Sequence, residues 1–102
     1  MKSNNKNKKV IRLDFTGCKT AWEYHERIRV AFDFPEWYGK NWDAFWDLLR
    51  TDCDANKVEI VGECTLNKEF DNYIEMTHKI LQEMVDKCKN DPEDHFEYEV
   101  MN

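Results

Sequence analysis

The chain has 102 residues, enough for one domain that buries its own core without metal or disulfide staples. It is 41% hydrophobic and 14% aromatic, which excludes a disordered polymer, while 35% charged residues leave a highly charged surface. Residues 1–12 carry +5 through Lys2, Lys6, Lys8, Lys9 and Arg12, the whole chain carries −6, and residues 13–102 therefore carry −11, a body that repels nucleic acid and attracts basic partners.

Residues 1–8 form a basic leader, read as a frayed terminus rather than a nucleic-acid arm, ahead of a single domain over 9–102. No apolar segment follows its basic residues, and no run approaches the ~20 residues of a membrane span. Neither a secretory signal nor a membrane anchor is expected, and the expected location is the cytoplasm.

Lys9 to Phe15 alternates Ile11, Leu13 and Phe15 with Arg12 and Asp14, the period of a strand. After Gly17, Thr20 opens a helix, with Glu23 three residues on as a capping box. Ala21, Tyr24, Ile28, Ala31 and Phe32 make its apolar side, and Pro35 prevents its continuation by biasing Phe34 away from helical angles. Asn41 is a good N-cap for a second helix, in which Trp42, Phe45, Trp46 and Leu49 share helical spacing. That helix fades in the polar stretch Thr51 to Asn56.

Val58 to Val61 reads as a short strand closed by Gly62. From Thr65 or Asn67 a helical stripe runs through Phe70, Tyr73, Ile74, Thr77, Leu81, Met84, Val85 and Cys88, as one helix or two, with Pro92 beyond it. Phe96, Tyr98 and Val100 then alternate with Glu97 and Glu99 as a last strand. The order β-α-α-β-α-β implies an α/β fold with parallel strands and right-handed crossovers.

The four cysteines, at 18, 53, 64 and 88, show no CxxC pair or zinc spacing and read as buried or idle thiols, so no metal or cofactor is expected. His25, His78 and His95 stand singly and read as surface or satisfied core residues. There is no Gly-rich phosphate loop, HExxH or GxSxG, and no nucleophile set beside a base, so no catalytic residue is assigned.

The informative stretch is Tyr38 to Asp47. A glycine turn precedes a helix on which Asp43 and Asp47, four residues apart, share a face. Asp33, Glu36, Asp43, Asp47, Asp52 and Asp54 crowd this region against only Lys40 and Arg50, a local net of −4. Trp37, Tyr38 and Trp46 interleave with the acids, a mixture that interface hot spots favour. Trp42 and Phe45 are assigned to the core, and Asp43, Asp47 and Trp46 to the outside, with Trp37 and Gly39 at the lip. Gly39 either takes a positive φ, lets another backbone approach, or only shapes the start of the helix. Arg50, three residues after Asp47, either pairs with it or answers an acid on a partner.

Pro35-Glu36-Trp37-Tyr38-Gly39-x-Asn41-x-Asp43-Ala44-x-Trp46-Asp47 resembles the signature of barstar-type ribonuclease inhibitors, and the element order agrees from residue 9 to 101. The resemblance implies a three-stranded parallel sheet covered by three to four helices. It implies a non-enzymatic protein that binds a basic extracellular-type ribonuclease as a 1:1 heterodimer inside the cell. In that reading Asp47 is the central anion at the phosphate site, and Asp43 a second charge contact. Trp37 takes the place of a tyrosine that packs on the catalytic histidine, Gly39, Asn41 and Trp46 shape the surface beside Tyr38, and Asp86 reaches the partner from the last helix. Departures are Arg50, Trp42 in place of a leucine, and Asp52 near the place of a missing tryptophan. They leave open an immunity protein of the same fold against a different nuclease toxin. A nucleic-acid module using the leader and an enzyme using the carboxylates are the other readings.

Overall fold

In a computed structural model, which describes residues 9–52, 55–89 and 95–101, three short strands form one parallel sheet. These are β1 (Val10–Asp14), β2 (Lys57–Val61) and β3 (Glu97–Val100), with β2 in the middle. The expected leader, Cys53, Asp54 and Pro92 lie outside the described residues. The helices are α1 (Ala21–Phe32) and α2 (Trp42–Asp52) between β1 and β2, and α3 (Asp71–Cys88) between β2 and β3. The parallel α/β architecture expected from the chain is the one observed.

Strand alternation decides which side of the sheet is covered. Ile11 pairs in register with Val58, and Leu13 with Ile60, and all four are buried. Tyr98 and Val100 extend those two rows into β3, half-buried. The intervening positions face the other way and form a charge ladder across the strands, with Arg12 3.6 Å from Glu59 and Lys57 3.1 Å from Glu99. The sheet therefore has one apolar face packed under the helices and one polar face. Period-two alternation permits this even though parallel sheets usually carry helices on both sides.

Tyr24 of α1 is the hub of the core. Its ring stacks on Phe15 at 4.1 Å and on Phe70 at 5.7 Å between centroids. Its hydroxyl meets Thr77 Oγ1 at 2.6 Å and donates to the Tyr73 carbonyl at 3.2 Å, so the buried polar atom is satisfied from α3. The expected helix after Gly62 begins later than its apolar stripe suggests. Two 3-10 turns, Glu63–Thr65 and Lys68–Phe70, come first, separated by extended Leu66 and Asn67, and α3 is then a single helix. Two core residues stand outside the expected stripes: Leu48 on α2 and Ile80 on α3 are both buried.

Candidate functional site

The site is built where α1 ends. Thr20 caps the start of α1 by accepting from the Glu23 N–H at 3.1 Å, and Glu23 accepts from the Lys19 N–H at 2.7 Å. At the other end Asp33 takes the left-handed conformation, φ 58°, ψ 40°. Phe34 N–H then reaches back to the Arg29 carbonyl at 2.9 Å and Asp33 N–H to Val30 at 3.2 Å, a Schellman closure with aspartate where glycine is usual. The chain reverses through Pro35, whose carbonyl accepts from Tyr38 N–H at 3.0 Å.

This turn separates two neighbouring aromatics. Trp37 is 74% exposed, whereas Tyr38 is only 3% exposed. The Tyr38 ring points into the core beside Phe34, and its hydroxyl bonds to Nδ1 of buried His25 at 2.9 Å. Displaying Tyr38 as a contact aromatic is therefore corrected. A Pro35–Tyr38 turn sends one ring out and the next in, and burial pushes the Tyr38 hydroxyl's pKa well up. The positive φ considered at Gly39 is instead at Lys40, φ 53°. A Cβ on Gly39 would lie 3.0 Å from the Asn41 side-chain nitrogen, so glycine makes room for the cap that follows.

Lys40 ties the turn back to α1. Its ammonium sits 3.2 Å from Glu26 and 5.1 Å from the centre of the Trp22 ring. Arg29 grips the same Glu26 carboxylate with Nη2 at 2.6 Å and Nε at 3.0 and 3.1 Å. The Arg29 hydrogen bonds, with Lys40 adding to them, hold the Glu26 carboxyl down to about 2. Glu26, Lys40 and Trp22 carry no signal in the chain as a supporting set, because only the Glu26–Arg29 spacing is local.

Asn41 is the expected cap of α2. Its Oδ1 accepts from Ala44 N–H at 2.8 Å, its carbonyl from Phe45 N–H at 3.0 Å, and its amide donates to Gly39 O at 3.3 Å. Phe45, Leu48 and Leu49 point inward, and Asp43 and Asp47 stand exposed on the opposite side. Trp42 and Trp46 fall between: both are half-buried against the core, so Trp42 is not fully inward and Trp46 not fully outward. Asp43 sits in the first turn, where the helix dipole favours an anion, and makes no ion pair or side-chain hydrogen bond among the described residues. Asp47 is engaged. Its Oδ1 accepts from Arg50 Nη2 at 2.8 Å, and that guanidinium lies 5.5 Å from the Trp46 ring centre.

The other candidate, Asp86, belongs to α3, where it is exposed, accepts from Gln82 at 3.2 Å and lies 3.9 Å from Lys89. α3 packs beside α2, but no interaction joins Asp86 to Asp43 or Asp47. The Asp52 side chain is outside the described residues. An open cleft of about 400 Å³ lies next to the turn, lined by Trp22, His25, Lys40, Trp42 and Tyr73 among others. Among the described residues no three His, Cys, Asp or Glu side chains gather as metal ligands, and no helix is long and apolar enough to cross a membrane. His78 bonds to Glu63 at 2.6 Å, tying the first 3-10 turn to α3. Cys18, buried, and Cys64, exposed, are free thiols. What α2 and the turn ahead of it offer chemically is negative charge at Asp43 and Asp47 near the exposed Trp37 ring, on a helix packed against the core.

The family described as Barstar (barnase inhibitor) matches the chain over residues 8–100, which includes the sheet, all three helices and the turn. A protein of Bacillus subtilis (strain 168) named "Putative ribonuclease inhibitor YrdF" is 26% identical over 68 residues, covering 66% of this chain and 75% of that protein.

Proposed function

The chain belongs to the barstar family, and on that premise we propose that it is a cytoplasmic inhibitor of a basic, extracellular-type ribonuclease, binding it one-to-one and closing its active site with α2 and the turn ahead of it. The observation that carries the reading is the outward pair Asp43 and Asp47 on one face of α2, with Trp37 exposed in the adjoining turn. Two carboxylates on a rigid helix match a site built to bind phosphate without offering anything to cleave. By the family resemblance Asp47 occupies that phosphate site, and Asp43 adds a contact and speeds encounter through the long-range field. Trp37 lays its ring on the enzyme, Gly39, Asn41 and Trp46 shape the surface, Tyr38 supports it from beneath, and Asp86 adds a contact from α3. The role calls for no turnover, cofactor or direct nucleic-acid contact.

The test is inhibition of a barnase-type ribonuclease by the full chain. Wild type should inhibit stoichiometrically, association should slow as salt rises, and Asp47→Ala should weaken inhibition by more than about tenfold. A ribonuclease left fully active by excess protein, or an Asp47→Ala variant as potent as wild type, sinks the reading. The Asp47–Arg50 pair favours a second reading, an immunity protein of the same fold directed at a different nuclease toxin, because it places a cation beside the anion meant for the enzyme's cations.

A further inference from the structure

The acidic face of α2 is not a pair of bare carboxylates. Asp43 is unpaired among the described residues, while Asp47 already holds a guanidinium at 2.8 Å through one of its two oxygens. Three local effects keep Arg50 there: the ion pair, the Trp46 ring 5.5 Å away, and its place in the last turn of α2, where the helix dipole favours a cation. Each effect is small for groups this open to water, since the Asp47 side chain is 66% and the Arg50 side chain 36% exposed. Arg50 is therefore held in place but displaceable.

Two kinds of partner surface meet this arrangement differently. A surface of cations alone that engages Asp47 must either push Arg50 aside or accept it at close range. Repulsion between like charges strengthens as docking excludes water. A surface that sets a carboxylate beside its cation instead lets both members of the pair exchange partners, so that neither charge is buried alone. The first partner is penalised by Arg50 and the second is not.

We propose that Arg50 is a specificity-determining residue: an internal stand-in for the partner's cation that disfavours nucleases presenting cations alone and selects one with a carboxylate next to the cation that meets Asp47. This rests on the reading that the acidic face of α2 is the nuclease-binding surface. Asp47 supplies the attraction, and Arg50 decides which basic surface receives it.

The experiment uses the full chain with barnase as probe, comparing wild type, Arg50→Ala, Asp47→Ala and the double variant at fixed ionic strength. Arg50→Ala is expected to inhibit at least about tenfold more tightly than wild type, with the gain absent in the Asp47→Ala background. If Asp47→Ala weakens inhibition but Arg50→Ala leaves it unchanged or weaker, the proposal falls and the functional reading stands. If Asp47→Ala has no effect, or no variant inhibits, the reading falls and takes the proposal with it. A second arm replaces neutral residues around the barnase active-site rim, one at a time, by Glu. At least one such variant should bind wild type more tightly than the parent enzyme does without binding Arg50→Ala more tightly. If none does, the selected carboxylate is refuted.

Discussion

The Nδ1 of His25 and the hydroxyl of Tyr38 lie 2.9 Å apart inside the fold, joining the middle of α1 to the turn that presents Trp37. Burial, with Lys40 nearby adding to it, holds the His25 imidazole down to about 4, against its ordinary 6.5. Between those values the unfolded chain binds a proton that the folded chain refuses. The contribution to stability is therefore complete above the ordinary value and is lost as pH falls through the folded one, with a magnitude on the order of 3 kcal/mol. Urea unfolding from about pH 7 down to about pH 5 should show falling stability, with a smaller slope in His25→Gln. An unchanged slope in that variant assigns the effect elsewhere.

Tyr38 and Trp37 are neighbours with opposite roles, and two substitutions should separate them. Tyr38→Phe leaves His25 without its hydroxyl partner in a buried site and should cost about 1–2 kcal/mol in chemical denaturation. Trp37→Ala removes an exposed ring and should change stability by less than about 0.5 kcal/mol while weakening inhibition of the ribonuclease. A destabilised Trp37→Ala, or a Tyr38→Phe as stable as wild type, would reverse the assignment.

The link from Glu26 to Lys40 at 3.2 Å is a second tie between the turn and α1, and both side chains are about three-quarters buried, 24% and 23% exposed. A double-mutant cycle with Glu26→Gln and Lys40→Met should give a coupling of about 0.5–1 kcal/mol, larger than most fully exposed pairs give. Simple additivity of the two substitutions would show that the tie carries nothing.

Gly62 ends β2 at φ +84°, and a Cβ there would overlap the backbone of Thr16 beyond β1. Gly62→Ala meets both a left-handed backbone and a steric clash, so it should destabilise by more than about 2 kcal/mol. A melting temperature within a degree or two of wild type would mean that the strand ends part easily.

Much of this architecture was legible because its signals are local. Thr20 and Asn41 carry a cap's signal in the chain and are caps in the fold, since a cap needs only its own oxygen and a nearby N–H. The alternation of Ile11, Leu13 and Phe15, and of Val58 and Ile60, marked the covered side of the sheet. The start of α3 is less legible: it is expected at Thr65 or Asn67, yet Leu66 and Asn67 are extended between two 3-10 turns and the helix begins at Asp71. Leu48 and Ile80 were missed because a stripe of fixed width omits residues at its edge that a neighbouring element also covers.

The sequence by itself determined the order of elements, the parallel sheet and the placing of Asp43 and Asp47 on one helical face, because helix and strand periods project side chains regularly. Only the tertiary structure decided the turn. There Trp37 goes out and Tyr38 goes in, Lys40 rather than Gly39 takes the positive φ, and Glu26 gathers Arg29 and Lys40. A turn has no period, so the direction of each side chain depends on what the rest of the fold brings against it. The Asp47–Arg50 spacing was visible in the chain, but the closure of the pair over Trp46 required all three side chains to settle on one surface.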